Sequence, residues 1–155
     1  MRLERLRDMF VCDYCRTETL PPMGEDGVRV LTETKFDCPA CAHHLWEATL
    51  EGHDLLYCTH CRGMLVAMSG FMNLVTLLRA IRAQPAMIVA PRDASNGTVE
   101  RRCPRCSGAM QNHPYGGPGN VFLDTCEACE VNWLDKQEIQ KIAAAADPTY
   151  SSAVL

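Results

Sequence analysis

The chain has 155 residues, a formal charge of −4 and ten cysteines. That is room for one domain or two small ones, and units this small bury too little apolar surface to be secure on packing alone. The acidic balance, with no extended basic run, counts against a protein that lives on phosphate backbones.

Residues 1–11 are a short charged lead-in in which Leu3, Leu6 and Phe10 recur at roughly helical spacing. Cys12-Asp-Tyr-Cys15 follows, and residues 20–27 (LPPMGEDG) read as a turn. The alternation from Val28 to Phe36 predicts a strand leading into Cys38-Pro-Ala-Cys41. Short strands are expected over His44 to Ala48 and Asp54 to Tyr57, joined by a turn at Glu51-Gly52, before Cys58-Thr-His-Cys61.

Residues 64–83 form a long apolar stretch that opens as a short strand. Phe71, Leu74, Val75, Leu78 and Ile81 then repeat at helical period, and Ser69 is a candidate N-cap. Ser69, Gly70, Asn73, Thr76, Arg79 and Arg82 break the run below the ~20 apolar residues of a membrane span. The helix carries more apolar surface than one small unit needs, which points to packing on that unit and to self-association.

Residues 85–99 read as a linker with a short strand at Met87–Val89. Cys103-Pro-Arg-Cys106, a glycine-rich loop over 114–120, a strand from Val121 to Asp124 and Cys126-Glu-Ala-Cys129 come next. A short apolar strand, Val131-Asn-Trp-Leu, precedes Asp135-Lys-Gln-Glu138, which has capping-box spacing. The helix is expected from Lys136 to about Ala146, with Ile139 and Ile142 facing inward and Pro148 marking its end.

Every cysteine sits in a Cys-x-x-Cys pair. Two thiols three residues apart in a tight turn face one volume and can share a Zn²⁺. Cys38, Cys41, Cys58 and Cys61 make one expected site, and Cys103, Cys106, Cys126 and Cys129 the other. An iron–sulfur cluster or a redox pair is the rival at each. Four thiolates close a tetrahedral shell, so the expected role of the metal is folding rather than catalysis.

Cys12 and Cys15 are left over. They either join His43, His44 or His60 in a third site, or meet the same pair of a second chain, or stay a free dithiol. Pairing with Cys38/Cys41 is a further alternative that the repeated pattern argues against. Asp13 beside Cys12 disfavours a thiolate, and so a redox role.

The two units repeat each other: Cys-Pro-x-Cys, strands, Cys-x-x-Cys, an apolar strand, then a helix. Leu45 matches Met110, and Leu65 matches Trp133. Duplication of one module is the simplest account. Trp46 and Trp133 are expected core plugs, and the amide of His60 is expected to bond a sulfur. The other histidines are read as surface groups.

The second unit carries a family likeness. Its four cysteines, with Asp124, Trp133-Leu134-Asp135 and Glu138, resemble the bacterial TFIIB-like zinc-ribbon domain family. The resemblance implies one structural zinc on those cysteines, with the Trp-Leu-Asp segment packed behind the second knuckle. Glu130, Val131 and Asn132 stand where that family usually has glycines, so a somewhat different turn is expected. The first unit matches less closely, with Leu65-Val-Ala in place of Trp-Leu-Asp.

The expected architecture is therefore small α+β: tandem rubredoxin-like zinc-ribbon modules, each of short strands with two cysteine knuckles and then a helix. The expected layout is an N-terminal segment over 1–35, a ribbon plus apolar helix over 36–84, a linker over 85–100, a second ribbon plus helix over 101–147 and a flexible tail over 148–155. No charged-then-apolar segment opens the chain, so the expectation is a cytoplasmic protein with reduced thiols.

No carboxylate pair is placed for acid–base work, and Pro-Tyr-Gly-Gly-Pro-Gly lacks the lysine of a phosphate loop. The reading is thus a non-enzymatic zinc adaptor that binds a protein partner or itself. Nucleic-acid binding by a transcription regulator is the alternative. It requires Arg79, Arg82, Arg92, Arg101, Arg102 and Arg105 to gather into one positive face.

Overall fold

The computed structural model describes residues 2–4, 9–24, 26–81, 100–115 and 121–144. The chain order begins with three short strands, β1 (Arg2–Glu4), β2 (Met9–Val11) and β3 (Glu18–Thr19). They form a small antiparallel sheet of their own, in the order β1-β2-β3. The roughly helical spacing of Leu3, Leu6 and Phe10 does not mark a helix at Arg2–Glu4 or Met9–Val11. Three apolar residues are too few to sustain a helix, and the chain instead pairs across the Cys12–Cys15 turn.

The first repeat contributes β4 (Val28–Asp37), β5 (His44–Leu50), β6 (His53–Tyr57), β7 (Met64–Ala67) and α1 (Met68–Ile81). The second contributes β8 (Gln111–Pro114), β9 (Phe122–Cys126), β10 (Val131–Leu134) and α2 (Glu138–Ala144). The strands expected between Val28 and Tyr57 and between Val121 and Leu134 are present, and the β5–β6 turn runs through Glu51 and Gly52, both at positive φ. Strand β8 was not anticipated. Its sequence, Gln-Asn-His-Pro, has no apolar alternation, and its pairing with β9 is what defines it.

The two repeats do not stand apart. All seven strands from β4 to β10 make one sheet in the order β4-β5-β6-β7-β10-β9-β8. The inner edges β7 and β10 pair antiparallel, with Leu65 opposite Trp133. These are the positions that match in the repeat, so an approximate two-fold axis passes between them. Each repeat covers the strand edge that the other would leave open.

Each face of this sheet carries one core. On one face, Met64, Val66, Phe71, Leu74 and Val75 pack with Leu123, Leu134, Ile139 and Ile142 under the two helices. On the other, Leu45, Leu56 and Leu65 pack with Met110, Val131 and Trp133 beneath the cysteine turns. Both cores draw on both repeats. Part of the apolar surface of α1 is accordingly taken up within the chain, by α2 and the second repeat, while Met72 and Ile81 stay exposed.

Several expectations need correction. Ser69 lies inside the first turn of α1, because Met64–Ala67 belongs to β7 and the helix opens at Met68. Helix α2 opens at Glu138, not Lys136, because Gln137 has a φ of 66°. The capping box is half realised: the amide of Asp135 donates to Glu138 Oε2 at 2.6 Å, but the Asp135 carboxylate is engaged elsewhere. Trp46 is only half-buried, between Glu33 of β4 and Tyr57 of β6, and belongs to neither core. The expected strand at 87–89, the linker and the tail lie outside the described residues.

Candidate metal centres

Each Cys-x-x-Cys pair is the tip of an antiparallel hairpin, and all five hairpins have one register. The residue before the first cysteine pairs with the sixth residue after it: Val11 with Glu18, Asp37 with His44, Tyr57 with Met64, Arg102 with Ala109, and Thr125 with Asn132. The residue after the second cysteine is left-handed in every case: Arg16, Ala42, Arg62, Ser107 and Glu130 have φ between 54° and 63°. In the first four tips that residue's amide donates to the carbonyl of the first cysteine at 2.8–2.9 Å. The fifth tip differs slightly, as Glu130 donates to Glu127 at 3.3 Å. This register and this strained residue turn both thiols toward one volume.

The tips then meet in pairs. The β4–β5 and β6–β7 tips bring together the sulfurs of Cys38, Cys41, Cys58 and Cys61, all within 4.8 Å of one another. The second repeat does the same with Cys103, Cys106, Cys126 and Cys129. Sulfur separations of 3.5 Å (Cys38–Cys61), 3.4 Å (Cys41–Cys58) and 3.6 Å (Cys106–Cys126) lie far above a disulfide bond. They approach the ~3.8 Å edge of a tetrahedron with Zn–S bonds of ≈ 2.3 Å. The chain thus holds two complete four-cysteine clusters, each fitted to one Zn²⁺.

Backbone amides support the sulfurs. Ala40 N–H donates to Cys38 Sγ and Cys61 N–H to Cys58 Sγ, both at 3.4 Å. The second donor is Cys61, where the sequence suggested His60. The His60 ring instead stacks on His43, with centroids 4.0 Å apart. Nδ1 of His43 lies 3.3 Å from Cys41 Sγ, so Cys41, His43 and His60 form a third, partial group of ligand atoms.

Without metal the thiols of a cluster cannot all ionise. Burial pushes Cys38 far up and Cys61 up to about 11. Burial works against Cys41 too, but hydrogen bonds from His43 and Cys58 bring it down to about 6. A metal ion must displace the protons that remain, so binding weakens as pH falls.

Comparison of the chain with protein-family models, characterised proteins and solved structures yields no match. The likeness to zinc-ribbon families therefore rests on the two four-cysteine clusters and the motifs around them.

Two of the arginines expected to form a positive face, Arg101 and Arg79, are committed to internal partners. Arg101 Nη1 reaches Asp135 at 2.6 Å and Asp124 at 3.1 Å. Burial disfavours its charge, but Asp135 and Asp124 hold it on. Arg79 Nη2 donates to the carbonyl of Ile142 near the end of α2, at 3.1 Å. Arg102 and Arg105 remain exposed, and Arg82 and Arg92 lie outside the described residues. The convergence of Asp124, Asp135 and Glu138 on Arg101 escaped the sequence reading, because residue 101 precedes the motif and nothing in its spacing marks an inward turn. Asp124 also accepts from Asn112 at 3.0 Å, so these carboxylates form a fixed structural network.

Cys12 and Cys15 stand apart. Among the described residues, neither falls within a cluster of three or more ligand atoms. The Thr17 hydroxyl, 3.0 Å from the Cys15 sulfur, helps bring that thiol down to about 7.

Proposed function

We propose that this protein is a zinc-held scaffold that acts by binding another protein. The observation that carries the reading is a pair of closed metal sites beside large apolar side chains left exposed. Both clusters are four-thiolate shells with no vacant position for water or substrate. Among the described residues, Tyr14, Leu20, Met23 and Phe36 are exposed in the segment up to the first cluster, and Met72 and Ile81 are exposed on α1. Large exposed apolar side chains, four of these six in one segment, suit a contact surface.

The nucleic-acid reading has less support. It needs Arg79 and Arg101 on a common face with Arg102 and Arg105, and the first two are spent on internal partners. The TFIIB-like motif in the second repeat fits a structural zinc and carries no preference between partners. Ten thiols set in metal-ligand hairpins suit a reducing, cytoplasmic setting. No helix among the described residues is long and apolar enough to cross a membrane.

The test is a photo-crosslinking amino acid placed at position 14, activated in cells. Adducts to protein are expected. Adducts confined to nucleic acid, or none, would overturn the reading.

A further inference from the structure

The five hairpin tips share one design, and four of them are used two at a time. Cys12–Cys15 is built like the others. Cys12 N–H donates to the carbonyl of Thr17 at 3.0 Å, as Cys38 does to His43, Cys58 to Gly63 and Cys103 to Gly108. Arg16 N–H returns to the carbonyl of Cys12 at 2.8 Å, and Arg16 has a φ of 61°. A left-handed arginine is an uncommon conformation, and here it closes the Cys12–Cys15 turn. Elsewhere in this chain the same geometry serves to aim two thiols at one metal ion. This tip has the backbone geometry of the other four, and the eight other cysteines are already gathered in the two clusters.

We propose that the Cys12–Cys15 tip binds Zn²⁺ together with the same tip of a second copy of this chain, forming a four-thiolate site between two molecules. This deepens the reading of the protein as an association module and rests on it. Three observations favour a second copy as the occupant. In both internal clusters the mate of a tip is another tip of the same register, and a second copy supplies one. The tip is open to approach: Cys15 is exposed and Tyr14, at its apex, is 98 % exposed. Leu20, at the end of β3, is 53 % exposed, so a two-fold contact through this tip would cover apolar surface on both copies. The three-stranded β1–β3 sheet is separate from the seven-stranded one, so such a contact leaves the main fold undisturbed. It is also too small to associate firmly by burial alone, which is where four metal–thiolate bonds would contribute.

The experiment is native mass spectrometry of the full chain purified without chelator, beside the Cys12→Ser/Cys15→Ser variant. The wild-type chain is expected as a dimer with five zinc ions, two in each copy's own clusters and one between them. The variant is expected as a monomer with two, still folded by circular dichroism. A wild-type monomer with two zinc ions, or with three, would overturn the proposal. So would a dimer that survives chelation and dissolves in reductant, since that is a disulfide. If the chain is monomeric with two zinc ions yet position 14 crosslinks to a different protein, the second copy is wrong and the association reading stands.

Discussion

Gly63 and Trp133 meet across the approximate two-fold axis, and the contact leaves no room for a side chain. A Cβ on Gly63 would sit 2.2 Å from Cζ2 of Trp133. The fully buried indole therefore occupies space that only glycine leaves open, and its Nε1 donates to Asp135 at 3.2 Å. Gly63→Ala should destabilise the fold by about 1–3 kcal/mol, the usual cost of overpacking. Thermal unfolding of zinc-loaded protein measures this, and Trp133→Leu in the same chain should recover part of the loss. Trp133 was legible in sequence as a core residue. Its partner was not, because an empty position has no signature until a neighbour fills it.

Glu138 is the second residue with a measurable signature. Burial raises its carboxyl from an ordinary 4.5 to about 7. The folded state thus prefers the protonated form. The stabilisation is full below the unfolded value near 4.5 and is lost as pH rises through about 7. Glu138→Gln should remove this dependence and stabilise the protein near pH 8 by on the order of 1–3 kcal/mol relative to the parent. Urea unfolding with zinc present, compared at about pH 6 and about pH 8, reads the effect. An unchanged pH slope in the variant would contradict the assignment.

Among the elements, the hairpin tips were the most legible. Their cysteine spacing is local and is dictated by the metal, so position and chemistry could both be read directly. Helix α1 was legible as a helix but its partner was not. Leu74 and Val75 announce a buried face, and nothing in the period says whether the other side is a second chain or the second repeat. Strand β8 was invisible because Gln111–Pro114 is made a strand by its neighbour. The loop before the second repeat holds the strongest polar element, the Arg101 pairs with Asp124 and Asp135. Arg101→Ala would leave Asp124 buried without its cation and should cost about 3–5 kcal/mol. The variant should show this in urea unfolding. Unchanged stability would mean the arginine is free for another task.

At the scale of the molecule, the repeat could be read from the sequence, but the joint between its halves could not. Pairing of β7 with β10 is a long-range edge contact between two short strands whose apolar residues suit either face of a sheet. Because each core takes residues from both halves, residues 26–84 or 100–147 made alone should stay unfolded even with zinc. Mixed with zinc, the two pieces should assemble one to one. Nuclear magnetic resonance spectra of the pieces, apart and together, test this, and a well-dispersed spectrum from either piece alone would contradict it.

The central claim is that two four-thiolate zinc sites hold one shared sheet. Hydrogen exchange of the Cys12→Ser/Cys15→Ser variant, followed while a chelator strips the metal, tests it most directly. The account predicts two zinc ions released per chain. The amides of β6, β7, β9 and β10 should lose protection together as they leave. Loss of metal with those strands still protected, or loss of one repeat's protection while the other keeps its own, would contradict it.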